Sequence, residues 1–213
     1  MGNQSHPDLE DQLEKHDVHL DDKNVVSWNE KSTRHPQNWS HSPKYYTAAI
    51  VIWLEFYMTM LSSSGAATAK ATEIEWGISK VVGTTIFVTV YLLGQTVGGI
   101  FCSPISEVFG RRTIYLIATV SFGISSVIVA APSHIAGIVV GRFFQGVSAA
   151  IPATVAFGNF ADLFNVETRV WVVYIYTLLG MAGLSLGPIY SSYVTSSLSW
   201  YVSKLLMSIL LIN

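Results

Sequence analysis

Val81–Cys102 reads VVGTTIFVTVYLLGQTVGGIFC, 22 residues without a charge, and the next ten residues, Ser103–Arg112, read SPISEVFGRR. About 20 consecutive apolar residues are what one helix needs to cross the hydrocarbon core of a bilayer, whereas a soluble helix needs only an apolar stripe. Four similar runs flank it. Tyr46–Ala69 holds one charge, Glu55; Thr113–Ala131 holds none; Ile135–Ala161 holds one, Arg142; Val170–Leu198 holds none. The pattern predicts five membrane-spanning helices. A last run, Tyr201–Ile212, is shorter and carries Lys204, and reads as a truncated sixth helix.

The rest of the composition agrees. Of 213 residues, 50% are hydrophobic and 12% charged, about half the roughly 25% of a soluble domain. Residues 1–44 hold 8 acidic and 5 basic residues, half of all the charges. They read as a mostly disordered cytoplasmic tail ahead of a membrane bundle over 45–213. An ordinary soluble enzyme is excluded. Cys102 is the single cysteine, so no thiolate metal cluster is expected, and a net charge of −2 gives no footprint for nucleic acid. His16 and His19 sit three apart in the tail, and a solvated tail explains them better than a metal site. No cofactor motif, acid–base constellation or metal-protease helix is present. The abundant Trp and Tyr read as interfacial belts and helix packing.

Charge bias sets the orientation. With the N-terminus inside, Lys31, Arg34, Lys44, Arg111, Arg112 and Arg169 lie inside and Lys70 and Lys80 outside. That is the arrangement favoured by the positive-inside rule.

The two charges within the spans matter most. Either one facing lipid costs several kcal/mol, so Glu55 and Arg142 are expected to face the bundle interior or a watery cavity. Thr59, Ser62 and Ser63 follow Glu55 on one helical face, and Gln145 follows Arg142 at i+3. Thr85, Thr89 and Thr96 suggest a weaker polar stripe on the second span. One reading is a buried ion pair that fixes packing. The functional reading is that Glu55 binds a cation or a proton, with Arg142 positioning or neutralising it. Gly94/Gly98 and Gly180/Gly183/Gly187 predict close helix crossings. Pro152 and Pro188 predict kinks.

Several segments resemble the major facilitator superfamily. Ser103-Pro-Ile-Ser106-Glu107-Val-Phe-Gly110-Arg111-Arg112 is similar to the family's loop signature between helices two and three, with Ser103 in place of its Gly. Arg142-Phe-Phe-Gln145-Gly146 resembles the helix-four motif associated with proton coupling. Gly183-Leu-Ser-Leu-Gly187-Pro188-Ile-Tyr-Ser191-Ser192 is similar to the antiporter signature of helix five, with two serines for its last two glycines. His35-Pro36-Gln37-Asn38-Trp39 and Ala161–Arg169 resemble segments of fungal multidrug-type members.

The resemblance covers about residues 25–200. It implies an all-α integral membrane protein, the incomplete N-terminal six-helix bundle of a proton-coupled carrier for drug- or polyamine-like compounds. Its partners would be lipid, small-molecule substrate and protons. It assigns Glu107, Arg111 and Arg112 to a cytoplasmic latch; from the residues themselves Glu55 is the candidate for cation or proton binding, with Thr59, Ser62, Arg142 and Gln145 as nearby polar lining. The plasma membrane is the expected location, with the vacuolar membrane as alternative. Transport would require the missing C-terminal bundle or a partner protein. Ser199-Trp200-Tyr201-Val-Ser-Lys204 departs from the Trp-Arg-Trp that opens helix six in such carriers. That departure suggests a transport-inactive product of a shifted frame or retained intron; a regulatory half-protein is the other alternative.

Overall fold

A computed structural model describes residues 18–20, 26–28, 32, 38–130 and 134–197. Among the described residues the membrane region holds seven α-helices: α1 His41–Ser63, α2 Gly65–Trp76, α3 Lys80–Thr84, α4 Val90–Phe109, α5 Arg111–Ala130, α6 Ile135–Leu163 and α7 Val166–Ser197. α1 and α2 continue through Ser64 as one span. α3 and α4 continue through a π-helical turn, Thr85–Thr89, as another. Among the described residues five spans are thus long and apolar enough to cross a membrane, as the apolar runs predict. The run Tyr201–Ile212, the segment Ser199–Lys204, His16 and His35–Gln37 lie outside the described residues.

Local chemistry sets the breaks. Gly77 (φ +63°) ends α2 and Gly110 (φ +83°) turns the chain between α4 and α5, both in backbone space that favours a residue without Cβ. Ser79 caps α3 by accepting the Val82 N–H at 3.4 Å. The first span is not the uniform helix its apolar run predicts. At Ser64 the backbone N–H reaches both the Met60 and Ser62 carbonyls, and the Ser64 hydroxyl donates to the Leu61 carbonyl at 2.6 Å. Ser63 donates to the Met60 carbonyl at 3.1 Å. Hydroxyls that take carbonyls from the backbone ladder are a known cause of breaks at Ser/Gly sequences.

The two most extensive helix contacts are α4 with α6 and α1 with α7, and glycine makes both possible. A Cβ at Gly98 would stand 2.6 Å from the Val147 carbonyl of α6, and one at Gly146 would stand 2.8 Å from the Gln95 amide of α4. A Cβ at Gly183 would stand 2.6 Å from the Phe56 carbonyl of α1. At Gly187 the Ser63 hydroxyl and Met60 carbonyl occupy the space outright. In lipid, where apolar burial no longer drives association, such backbone-on-backbone approach maximises dispersion contacts. α6 and α7 run without interruption through Pro152 and Pro188.

α1, α6 and α7 bury Val51, Phe160, Leu163, Val172 and Tyr176 together at the end that carries Arg111. Ala69, Ile86, Phe87, Val129 and Ile138 pack at the opposite end. Large apolar side chains such as Trp53, Phe101, Val120 and Ile189 remain exposed, as a lipid-facing surface requires. In the tail, Val18–Leu20 (β1) pairs antiparallel with Val26–Trp28 (β2). This short ladder lies in a segment whose composition predicts no regular structure.

Candidate functional site

Glu55 is half-buried on α1. It shares a cavity of about 300 Å³ with Thr59, Ala153 and Phe157 of α6, and Tyr176, Gly180 and Leu184 of α7. Thr59 donates to its Oε1 at 3.3 Å. Gly180 leaves room for the carboxylate; a Cβ there would stand 3.7 Å from Glu55 Cγ. Among the described residues no cation pairs with Glu55. The titratable groups around it are phenols: Tyr176, Tyr91 of α4 and Tyr115 of α5. A carboxylate in the interior with hydroxyl neighbours and no counter-cation is incompletely compensated. It can gain a proton or a bound organic cation. The rings of Phe157 and Tyr176, 5.6 Å apart and edge-on, add π-faces beside it.

Arg142 is not that counter-cation. It enters the bundle on α6 eleven residues before Ala153, about 16 Å along the helix at 1.5 Å per residue. Its side chain is 1% exposed. Nη1 donates to Gln145 Oε1 at 3.2 Å, and Gln145 Nε2 donates in turn to Ser126 Oγ of α5 at 2.7 Å. The guanidinium lies 5.3 Å from the centre of the Phe87 ring, within the π-helical turn. Nε and Nη2 have no hydrogen-bond acceptor among the described residues. The expected packing ion pair between Glu55 and Arg142 is therefore absent among the described residues. The expected Arg142–Gln145 association is present. Tyr91 links the two regions: its hydroxyl lies against Ser62, within electrostatic reach of both Arg142 and Glu55.

The Gly-Arg-Arg turn uses its two arginines unequally. Arg111, the first residue of α5, crosses the bare Cα of Gly158 on α6. It pairs with Asp162 Oδ2 at 2.8 Å and donates to the Val155 carbonyl at 3.2 Å. Glu107 and Arg112 are exposed. Ser106 is buried and donates to the Ser103 carbonyl at 2.7 Å, closing the end of α4 on itself. Arg111, Arg112 and Asp162 sit at the rim of a cleft of about 600 Å³ between α1, α5 and α6.

On α7 the glycines face α1, and Ser191 extends that face by donating to the Ser64 carbonyl at 3.3 Å. The threonine stripe expected on the second span does not face the site. Thr85 and Thr96 are exposed and donate to their own helix, to the Val81 and Leu92 carbonyls at 2.8 and 2.9 Å.

Sequence reasoning missed Tyr91, Tyr115, Tyr176, Phe157 and Ser126. The aromatic residues read as packing, and Ser126 carries no local signal. Tyr176 could have been found from its i, i+4 relation to Gly180 on the glycine face of α7.

The profile of the Major Facilitator Superfamily matches residues 46–212. The chain is 30% identical to the MFS-type transporter hepF of Aspergillus oryzae over 196 residues, which is 89% of this chain and 41% of that protein. It is 31% identical to the MFS-type transporter penM of Penicillium rubens, over 79% of this chain and 32% of that one. It is 27% identical to the efflux pump radE of Floropilus chiversii, over 84% and 33%. The chain thus spans about a third to two fifths of the length of these curated relatives.

Proposed function

Because the chain belongs to the major facilitator superfamily, we propose that it forms the N-terminal membrane half of a proton-coupled exporter of small organic cations, with Glu55 as the group that takes up either proton or cation. The observation that carries this reading is the Glu55 cavity: an interior carboxylate with no cation partner among the described residues, lined by Thr59, Phe157 and Tyr176. Ionisable residues within membrane spans are costly and mark transport pathways by default. The efflux-pump name of one relative and the partial antiporter signature at Gly183, Gly187 and Pro188 support export. In this reading Arg111–Asp162 is the cytoplasmic latch, residues 1–44 lie in the cytoplasm, and a second bundle completes the pathway by rocking against this one. The plasma membrane is the proposed location.

Competition between a lipophilic cation and protons tests the assignment. The chain in liposomes should bind tetraphenylphosphonium less as pH falls, and Glu55→Gln should abolish that pH dependence. Equal, pH-dependent binding by both proteins would remove Glu55 from the site.

A further inference from the structure

Tyr176 carries more than a wall of the cavity. It is 5% exposed, and its ring is clamped edge-on between Phe157 and Phe160, at 5.6 Å from each. Its hydroxyl crosses from α7 to α6 and donates to the Pro152 carbonyl at 3.0 Å. Beside the same hydroxyl stands a second acceptor, Glu55 of α1. A phenol has one hydrogen to donate, and the two acceptors differ in kind. The Pro152 carbonyl is always neutral, whereas Glu55 is a strong, charged acceptor only when ionised, and hydrogen bonds to charged groups are about twice as strong as neutral ones. Position 152 also lacks one bond of the α6 ladder: proline has no N–H, so the Ser148 carbonyl loses its helical donor.

We propose that Tyr176 is a positioning residue that passes the state of Glu55 to α6, its single hydroxyl hydrogen going to the Glu55 carboxylate when that group is ionised and to the Pro152 carbonyl when it is not. The described geometry, with the hydroxyl on Pro152, is one of the two arrangements. No proton leaves the tyrosine; Glu55 gains or loses a proton to water, and the phenol only changes acceptor. The other titratable groups facing Glu55 are Tyr91 from α4 and Tyr115 from α5. On α1 Thr59 donates to the carboxylate, and the α6 residues at the cavity, Ala153 and Phe157, do not titrate. No charged side chain among these competes for the hydroxyl. The inference rests on the reading of Glu55 as a proton-binding group.

The full chain, in phosphatidylcholine bilayers and isotope-labelled at its proline carbonyls, is titrated with acid while infrared difference spectra are recorded. The expected result is a carboxylic-acid band that Glu55→Gln removes. A proline carbonyl band should shift with the same midpoint, and Pro152→Ala should remove that shift. Tyr176→Phe keeps the ring contacts, so it should retain the acid band and lose the proline shift. Glu55→Gln, with Tyr176 intact, should lose the proline shift as well. Absence of a Glu55 acid band would overturn the proton-binding reading itself. An acid band accompanied by a proline shift that survives Tyr176→Phe or Glu55→Gln would overturn only the role of Tyr176.

Discussion

Replacing Gly158 by Ala should reverse sign depending on what stands at position 111. In the interior of a helix, Gly→Ala normally stabilises by roughly 0.5–1 kcal/mol. Here the Arg111 guanidinium lies against the Gly158 Cα, and a Cβ would stand 2.9 Å from Nη2 and 3.1 Å from Cζ, with Nη1 nearer still. The guanidinium, the far end of a flexible side chain, must shift, and swinging clear of the methyl separates it from two partners. One is the ion pair with Asp162, whose carboxylate side is 51% exposed, so that solvent screening limits it to about 0.2–1 kcal/mol. The other is the charged hydrogen bond to the Val155 carbonyl, worth about 1.5–3 kcal/mol. Offset by the helix gain, Gly158→Ala should destabilise by about 1–3 kcal/mol. In an Arg111→Ala background nothing is displaced, and the same change should stabilise by roughly 0.5–1 kcal/mol. Unfolding by denaturing detergent, followed by circular dichroism on the purified chain in micelles, measures both. Stabilisation of the same size in both backgrounds would refute the packing of Arg111 over Gly158.

Four further changes separate packing from polar chemistry. Gly183→Ala places a methyl against the Phe56 carbonyl and should cost about 1–3 kcal/mol in the same unfolding assay. Gly180→Ala meets only the flexible Glu55 side chain, at an ordinary contact distance of 3.7 Å, and should stabilise by roughly 0.5–1 kcal/mol through the helix gain alone. Ser126→Ala deprives Gln145 Nε2 of its acceptor in a buried site and should cost about 1–3 kcal/mol. Ser148→Ala serves as its control: its hydroxyl donates only to the Phe144 carbonyl of its own helix, so the change should be near neutral by thermal unfolding.

The spans were readable because lipid imposes a one-dimensional rule: every run long and apolar enough to cross became a span, and each extended past its run by a few residues of polar end. The glycine crossings were readable for a similar reason, since a missing Cβ is stated by the sequence itself. Charge partners were not. Whether Glu55 meets Arg142 depends on the axial offset and rotation of α1 against α6, which no local pattern encodes, and the offset keeps them apart. Arg111 likewise pairs with Asp162 rather than with the nearby Glu107, because the N-terminus of α5 packs on the last turns of α6. The break at Ser64 follows from hydroxyls competing for carbonyls, a local effect hidden inside an apolar run. The threonines of the second span look like a polar stripe in sequence, yet Thr85 and Thr96 satisfy themselves on their own backbone and need no partner.

The role of Glu55 can be decided in a carrier that contains this chain as its N-terminal half. Proton-driven export of a lipophilic cation from membrane vesicles is compared for the wild type, Glu55→Gln and Glu55→Asp. The cavity predicts that Glu55→Gln abolishes proton-driven export while Glu55→Asp retains part of it, because only a carboxyl can exchange proton for cation at that position. Proton-driven export by Glu55→Gln at the wild-type rate would contradict it.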